Sequence, residues 1–181
     1  MMATKVETVT RKPRDCSEPE IKDFVSLVLA GGEVTAVGLE DRVRRAELLV
    51  FLQHDGCLKG IAAVKNPVTH YANEVFRKAQ VPNRRSAYQF ELGWVFVMPS
   101  SRGAGFSHQL VATALSSIAG QGIFATSNAD NVAMHRALGA HGFLHIGVTF
   151  ASNRGNHQLV LFVDNVAQPG APEDAAQAGR P

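Results

Sequence analysis

Runs of apolar residues with two different periods divide the chain into predicted strands and helices. Residues 94–98 are apolar and rich in β-branched and aromatic side chains, which predicts a buried strand, and Pro99 ends it because proline cannot donate a ladder hydrogen bond. Apolar residues then recur at helical spacing from Phe106 to Ile118, which predicts an amphipathic helix. A second buried strand is predicted at residues 122–128. Because a helix joins the two strands, we expect them to be parallel, with a right-handed crossover.

The flanking segments carry weaker patterns that predict the rest of a mixed sheet. Ser17, followed by Pro19 and acidic residues, is typical of a helix N-terminus, and this helix is expected to run to about Ala30. The Asp55-Gly56 pair lies between two strand-like runs and favours a tight antiparallel hairpin. The remaining predicted elements are strands at residues 47–53, 57–64, 145–150 and 158–163 and a short helix at residues 69–80. Strands and helices alternate along the chain, which is typical of an α/β fold.

The loop between the buried strand and the amphipathic helix has the composition of an anion site. Gly103 and Gly105 have no Cβ atom, so the backbone can turn sharply and a ligand can approach it closely. The first N–H groups of the following helix have no intrahelical acceptor, and the positive end of the helix dipole lies there. The loop is therefore predicted to bind a phosphate or pyrophosphate group.

Three known phosphate or nucleophile motifs do not fit the spacing of this loop. The pattern G-x-x-x-x-G-K-[ST] is absent from the chain, and a dinucleotide fingerprint would need a small residue where His108 stands. A nucleophile elbow, G-x-S-x-G, is also broken, because two residues other than glycine follow Ser107. The pattern that remains is Arg102-x-x-Gly105-x-Ser107.

This pattern resembles the [QR]-x-x-G-x-[GA] signature of the GCN5-related N-acetyltransferases (GNATs), and Ser107 departs from its last position. Residues 131–143 resemble a second segment of that family, in which Asn131, Gly142 and Phe143 align. The similarity covers roughly residues 48–163 and is specific in these two segments. It implies a GNAT-like α/β fold, with a central mixed sheet of six or seven strands flanked by helices and with splayed parallel strands at a cofactor cleft.

The resemblance also implies a function and a set of binding residues. Family members transfer an acyl group from acetyl-CoA or another acyl-CoA to an amine, by direct attack of the amine on the thioester. In this chain the implied acceptor is a small-molecule or peptide amine. The residues implied to bind the cofactor are Val95, Val97, Arg102, Gly103, Ala104, Gly105, Phe106, Ser107 and Asn131.

Glu91 is the candidate general base of such a reaction. It stands eleven residues before Arg102, the separation found in the histone-acetylating branch of the family. A partly desolvated carboxylate beside the acyl group could accept a proton from an ammonium group. The alternative is a glutamate at a strand start that is either solvated or ion-paired, with Arg84 or Arg85 as the candidate partner.

A tyrosine that protonates the departing thiolate in many family members is replaced here by Leu138, which cannot donate a proton. Ser107, Ser127, His135 or a water molecule is expected to substitute, or the thiolate leaves unassisted. An acceptor pocket is expected near Tyr71, Glu74 and Tyr88.

Two other functions stay open at this stage. A GNAT-fold transferase could modify a nucleobase or another non-amine acceptor, in which case a basic groove beside Arg84 and Arg85 is expected. A non-catalytic CoA-binding sensor or interaction module is expected if Glu91 is ion-paired and out of reach of the thioester. The loop could also be a structural turn in an unrelated α/β domain.

Length and composition favour one domain, predicted at residues 1–166, because 181 residues with 45% hydrophobic content can bury one substantial core. Residues 167–181 lack large apolar side chains and are predicted to be disordered. The net charge of +2 gives only weak support for a nucleic-acid partner and none for a membrane surface. A homodimer is left open.

The chemistry of the cysteines and the chain start predicts a cytoplasmic protein. Cys16 and Cys57 are isolated, which is typical of a reducing compartment, and the polar first twenty residues lack the apolar region of a secretory signal. His135, His141 and His145 have no acidic or cysteine partner at ligand spacing, so no metal site is predicted.

Overall fold

Seven strands form one mixed sheet in the computed structural model, which describes residues 5–164. The strands are β1 (Val6–Arg11), β2 (Leu48–His54), β3 (Cys57–Lys65), β4 (Phe90–Val97), β5 (Ile123–Asn128), β6 (Phe143–Ala151) and β7 (Gln158–Asp164). Their order across the sheet is β1-β2-β3-β4-β5-β7-β6. Only β4 and β5 are parallel, and the other neighbouring pairs are antiparallel. The predicted mixed α/β sheet is confirmed.

Five α-helices cover the two faces of this sheet in the described part of the chain. They are α1 (Glu18–Ala30), α2 (Leu39–Arg44), α3 (Thr69–Lys78), α4 (Phe106–Ser116) and α5 (Val132–Ala140). Short 3-10 turns lie at Pro13–Asp15, Pro82–Ala87 and Pro99–Ser101. Because successive strand residues point to opposite faces, Ile123 and Ala125 pack with α4 and α5, while Phe124 packs with α3. The helices α1 and α2 cover the same face as α3, against the first strands.

The parallel pair at the centre of the sheet is very short. Phe90 pairs with Ile123 and Glu91 pairs with Phe124, and beyond these positions β4 and β5 make no further ladder. On its other side, β4 carries a bulge against β3, because Ile61 faces Phe96 whereas Ala63 faces Gly93. The two strands therefore separate toward their C-terminal ends and leave a cleft between them.

Several predicted elements are found close to their predicted bounds. The hairpin between β2 and β3 turns at Asp55 and Gly56, which both have positive φ, at 51° and 75°. The helix expected before Gly31 begins after Ser17, whose side chain and that of Glu20 form a reciprocal capping box. The central strand begins at Phe90, earlier than the apolar run at residues 94–98, and Glu91 is its second residue.

Other parts of the fold were not placed by the sequence patterns. No residues were assigned to β1 or to α2, and the predicted helix at residues 69–80 ends at Lys78. The domain boundary predicted at residue 166 and the disorder predicted for residues 167–181 fall outside the described residues. Within residues 5–164, none of the helices has the length and apolar character that crossing a bilayer requires.

We expect that Ser17→Ala lowers the free energy of unfolding by about 0.5–2 kcal/mol, because the Ser17 hydroxyl caps the first turn of α1. Equilibrium urea unfolding measures this change. The matched control is Ser26→Ala, which removes only a hydroxyl bonded to the carbonyl of Lys22 within the helix. Equal stability of the Ser17 variant and the wild type would contradict a stabilising role for the cap.

Candidate functional site

A cleft of about 920 Å³ opens where β4 and β5 separate. Its floor is formed by the second half of β4 and the end of β5, and one wall is formed by the loop before α4 and the start of α5. The opposite wall is formed by the end of α1, by α3 and by residues 152–157, the loop between β6 and β7. The cleft thus joins the predicted phosphate loop to the face of the sheet that carries Glu91.

The loop before α4 presents an unpaired helix N-terminus to this cleft. Gly105 is the N-cap residue with φ of 76°, and no side chain caps the helix. Gly103 also has positive φ, at 85°. A Cβ atom added at either glycine would meet no protein atom within 4 Å, so it would project into open space. The first N–H groups of α4 therefore point to a volume that an anion can fill.

Arg102 closes this loop against the strand. Its Nε donates to the carbonyl oxygen of Val97 at 3.2 Å, and its guanidinium carbon lies 5.8 Å from the ring centre of Phe96. The side chain stays exposed beyond these contacts, so further N–H groups of the guanidinium face the cleft and can meet a phosphate.

The residues implied to bind the cofactor fall in one region with one exception. Those that line the cleft are Val95, Val97, Arg102, Gly103, Gly105, Phe106, Ser107 and Asn131. Ala104 does not line it. Asn131 is also the N-cap of α5, because its Oδ1 accepts from the N–H of Met134 at 3.1 Å. Their roles as cofactor contacts stay predictions.

Glu91 is the most buried charged residue of the site, with 3% of its surface exposed. Its Oε2 lies 2.8 Å from Nζ of Lys65, and its Oε1 accepts a hydrogen bond from the hydroxyl of Tyr71 at 3.0 Å. Lys65 stands directly opposite Glu91 in the register of β3 and β4. Both carboxylate oxygens are therefore occupied by bonds within the protein.

The ion-pair partner expected for Glu91 was wrong. Arg85 donates to the carbonyl oxygen of Tyr88 at 2.6 Å, and Arg84 donates to the Tyr88 hydroxyl at 3.3 Å, so neither reaches Glu91. Tyr88 itself is buried and stacks on Phe76, away from the cleft. Tyr71 and Glu74 do line the cleft, as expected for an acceptor pocket.

Tyr71 is a hydrogen-bond donor at all physiological pH values. Partial burial raises the pKa of its hydroxyl, and the charge of Glu91 and the hydrogen bond to it raise that pKa further. Thr126 and the positive charge of Arg154 oppose these effects more weakly. Because the pKa stays above its ordinary value, the phenol keeps its proton and orients the Glu91 carboxylate.

The structure shows which candidates for protonating the thiolate lie in the cleft and which do not. Leu138 is buried, with 1% exposed, and Ser107 and Ser127 line the cleft. Nε2 of His135 lies 3.0 Å from the carbonyl oxygen of Asn128, and its ring packs on Phe162 outside the cleft. Protonation by Ser107, Ser127 or a water molecule, or unassisted departure of the thiolate, therefore stays the prediction for this step.

The loop at residues 152–157 is held against α3. Nζ of Lys78 donates to Oδ1 of Asn153 at 2.5 Å, and Nδ2 of Asn153 donates to Glu74 at 3.4 Å. Arg154, next in the loop, lines the cleft. The patterns of the sequence did not single out Lys65 or Thr126, although the hairpin preceding the central strand predicts that some β3 residue faces Glu91.

In the part of the chain that the structure describes, no three His, Cys, Asp or Glu residues are placed to hold a metal ion. His141 instead lies beside His108, with 5.6 Å between ring centres, and its buried Nε2 has no hydrogen-bond partner within residues 5–164.

The fold is similar to that of solved acyltransferase and acetyltransferase structures. An acyl-CoA N-acyltransferase from Pseudomonas aeruginosa is 13% identical with a TM-score of 0.64, and the match covers 88% of this chain and 99% of that chain. The Salmonella typhimurium protein yncA, solved with its cofactor acetyl-CoA, is 13% identical with a TM-score of 0.63 over 94% of this chain and 99% of its own. A ribosomal-protein-alanine N-acetyltransferase from Brucella melitensis is 18% identical with a TM-score of 0.61, over 86% and 98% of the two chains.

No protein-family sequence model matches the chain, and no curated protein matches it significantly by sequence. The structural similarity nevertheless extends over nearly the full length of each of these enzymes. The chain has the fold of the GCN5-related N-acetyltransferases. With identities this low, the similarity establishes the fold and leaves the acceptor unassigned.

We expect the free energy of unfolding to fall as the pH drops below about 6.5, because burial, and then the neighbouring His108, lower the pKa of His141 from 6.5. A group with a lowered folded-state pKa takes up its proton more readily when unfolded, so this stability is present above pH 6.5 and is lost on acidification. Urea unfolding across a pH series measures the slope.

His141→Gln should flatten this dependence and His108→Gln should reduce it in part. His70→Gln, at an exposed position on α3, serves as the control and should leave the slope unchanged. An unaltered pH dependence in the His141 variant would contradict the assignment.

Proposed function

We propose that the protein is an acyl-CoA-dependent N-acyltransferase that transfers an acetyl group from acetyl-CoA to an amine by direct attack in a ternary complex. The observation that carries this proposal is the cleft itself. Two parallel strands separate beside an uncapped helix N-terminus, and a buried carboxylate lies where the separation begins. The similar fold of acyl-CoA N-acyltransferases supports the same conclusion.

The residues around the cleft fit the chemistry of coenzyme A. The unpaired N–H groups of the first turn of α4, together with the Arg102 guanidinium, would hold the phosphates. The edge of β4 that faces β5 has no ladder partner after Glu91, so its N–H and C=O groups can bond the amides of the pantetheine arm. Acetyl-CoA supplies the activated acyl group as a thioester.

Glu91 is proposed to accept the proton of the attacking amine, directly or through one water molecule. Lys65 and Tyr71 each bind one oxygen of this carboxylate, and together they fix its orientation in the cleft. The acceptor amine would approach from the wall formed by α3 and residues 152–157, where Tyr71, Glu74 and Arg154 lie.

A second function, a non-catalytic CoA-binding sensor, is favoured by one observation. Both oxygens of Glu91 are already bonded within the protein, so a proton-accepting role needs one of these bonds to exchange. The two functions differ in a simple way, because the sensor binds acetyl-CoA without turnover. A nucleobase acceptor gains no comparable support, since Arg84 and Arg85 bond to Tyr88.

The finer parts of this proposal rest on the sequence arguments. They are a small-molecule or peptide amine as acceptor, a cytoplasmic location, and either a monomer or a homodimer as the working form.

Gly105→Val should reduce the affinity for acetyl-CoA by roughly tenfold or more. A Cβ atom would stand in the phosphate cradle, and a β-branched residue at this φ costs about 1–2 kcal/mol. Isothermal titration calorimetry measures the affinity. Gly120→Val is the matched control, because Gly120 has φ of 78°, has no atom within 4 Å of an added Cβ and lies outside the cleft. Unchanged affinity in the Gly105 variant would remove the cradle from the cofactor site.

Incubation of the protein with acetyl-CoA and a library of primary amines, followed by detection of released thiol and of acetylated products, should show turnover. Glu91→Gln should keep the cofactor affinity and lower kcat by about a hundredfold or more, the usual contribution of a general base. Asp23→Asn, which alters an exposed carboxylate on α1 outside the cleft, is the control. Binding without turnover of any amine would favour the sensor, and a wild-type pH–rate profile in Glu91→Gln would exclude Glu91 as the base.

A further inference from the structure

The cleft already contains a primary amine of the protein itself. Nζ of Lys65 lies 2.8 Å from Oε2 of Glu91, 5.0 Å from the ring centre of Trp94 and 6.0 Å from that of Tyr71. The Lys65 side chain is 22% exposed and lines the cleft. A carboxylate and two aromatic rings are the groups that recognise an ammonium ion. Lys65 therefore occupies the kind of subsite that an acceptor amine would need.

Three separate features of the chain bring the Lys65 amine to this place. The register of β3 and β4 sets Lys65 directly opposite Glu91. Gly93 leaves room for the lysine stem, since a Cβ atom there would come within 2.6 Å of Cδ of Lys65. Trp94 has φ of 51° at the bulge of β4, and its indole lies beneath the ammonium group. A surface ion pair would need none of these features.

We propose that Lys65 is an internal acyl acceptor, so that the cleft acylates its own lysine when it holds an acyl thioester. The inference rests on the proposed function. Glu91 takes a proton from the Lys65 ammonium, and the free Nζ attacks the thioester carbonyl carbon. An N–C bond forms and the C–S bond breaks. The thiolate leaves and is protonated, and a second proton is released from nitrogen, which leaves N-acyl-Lys65 and a free coenzyme A thiol.

Acylation of Lys65 changes the state of Glu91. The amide product carries no charge, so the ion pair between Lys65 and Glu91 is lost and Oε2 becomes free. The acylated protein is then the form in which Glu91 can accept the proton of an external amine. This resolves the conflict between the occupied carboxylate seen here and its role as a base.

The test incubates the full chain with acetyl-CoA and no added amine, and follows it by intact mass spectrometry and peptide mapping. One acetyl group should appear on Lys65, with a first-order rate that is independent of protein concentration, as a reaction within one molecule requires. Lys65→Arg, which keeps the charge, should remain unmodified at this site. Lys59→Arg, on the same strand but outside the cleft, should be acetylated on Lys65 like the wild type.

Two results would overturn the proposal. One is an unmodified Lys65 in a protein that binds acetyl-CoA by calorimetry, which would leave the proposed function intact and make the ion pair permanent. The other is equal modification of Lys65 in heat-denatured protein or in Gly105→Val, which would make it a reaction of free thioester in solution. Failure of the wild type to bind acetyl-CoA would overturn the proposed function as well.

The activating role has its own measurement. Turnover of an external amine should show a lag that preincubation with acetyl-CoA removes, and Lys65→Arg should show slow turnover with no acceleration. A constant rate from the first turnover would overturn the release of Glu91. Circular dichroism of each variant checks that it is folded.

Discussion

The site depends on one constraint, the early end of the pairing between β4 and β5. Two parallel strands at the centre of a sheet ordinarily bond along their length, but here the ladder stops at Glu91 and Phe124. The bulge of β4 against β3 lies at Trp94, just beyond the last position that pairs with β5. The unpaired backbone that results is tolerated because it lines an open cleft, where a ligand or water can satisfy it. This opening makes three features accessible to a ligand. They are the N-terminus of α4, the turn at Gly103 and Gly105, and Glu91.

The Glu91 carboxylate, at the point where β4 and β5 separate, matters both for the proposed chemistry of the site and for its stability. A buried charge is costly unless it is paired and hydrogen-bonded, and Lys65 and Tyr71 supply both interactions for Glu91. The lysine in turn depends on the missing side chain at Gly93 and on the indole of Trp94. A change at any of these positions therefore disturbs a network that spans β3, β4 and α3, even where the altered residue never touches a substrate.

The sequence predicts those parts of the fold whose structure depends on residues close together in the chain. The glycine turn before α4 and the N-cap at Ser17 depend on residues a few positions apart, so their patterns were sufficient. The edge strand β1 is short and largely exposed, without the alternation that marks a half-buried strand, and α2 has only six residues. The pairing of Lys65 with Glu91 depends on a register between two strands, and the bulge that shifts this register leaves no mark in the order of the residues.

The wall of the cleft formed by α3 and residues 152–157 is connected to the sheet edge at two points. Asn153 ties the loop after β6 to Glu74 and Lys78 on α3, and the N–H of Val148 on β6 donates to the carbonyl oxygen of Ala79 at the end of the same helix. A displacement of α3 would therefore also move β6, the outermost strand of the sheet. The segment after α1, near Gly31 and Val34, also borders the mouth of the cleft, and within residues 5–164 no hydrogen bond joins it to α3. Under the proposed function, the side chains of this segment are the positions at which the width of the mouth can be changed without breaking the bonds that hold α3.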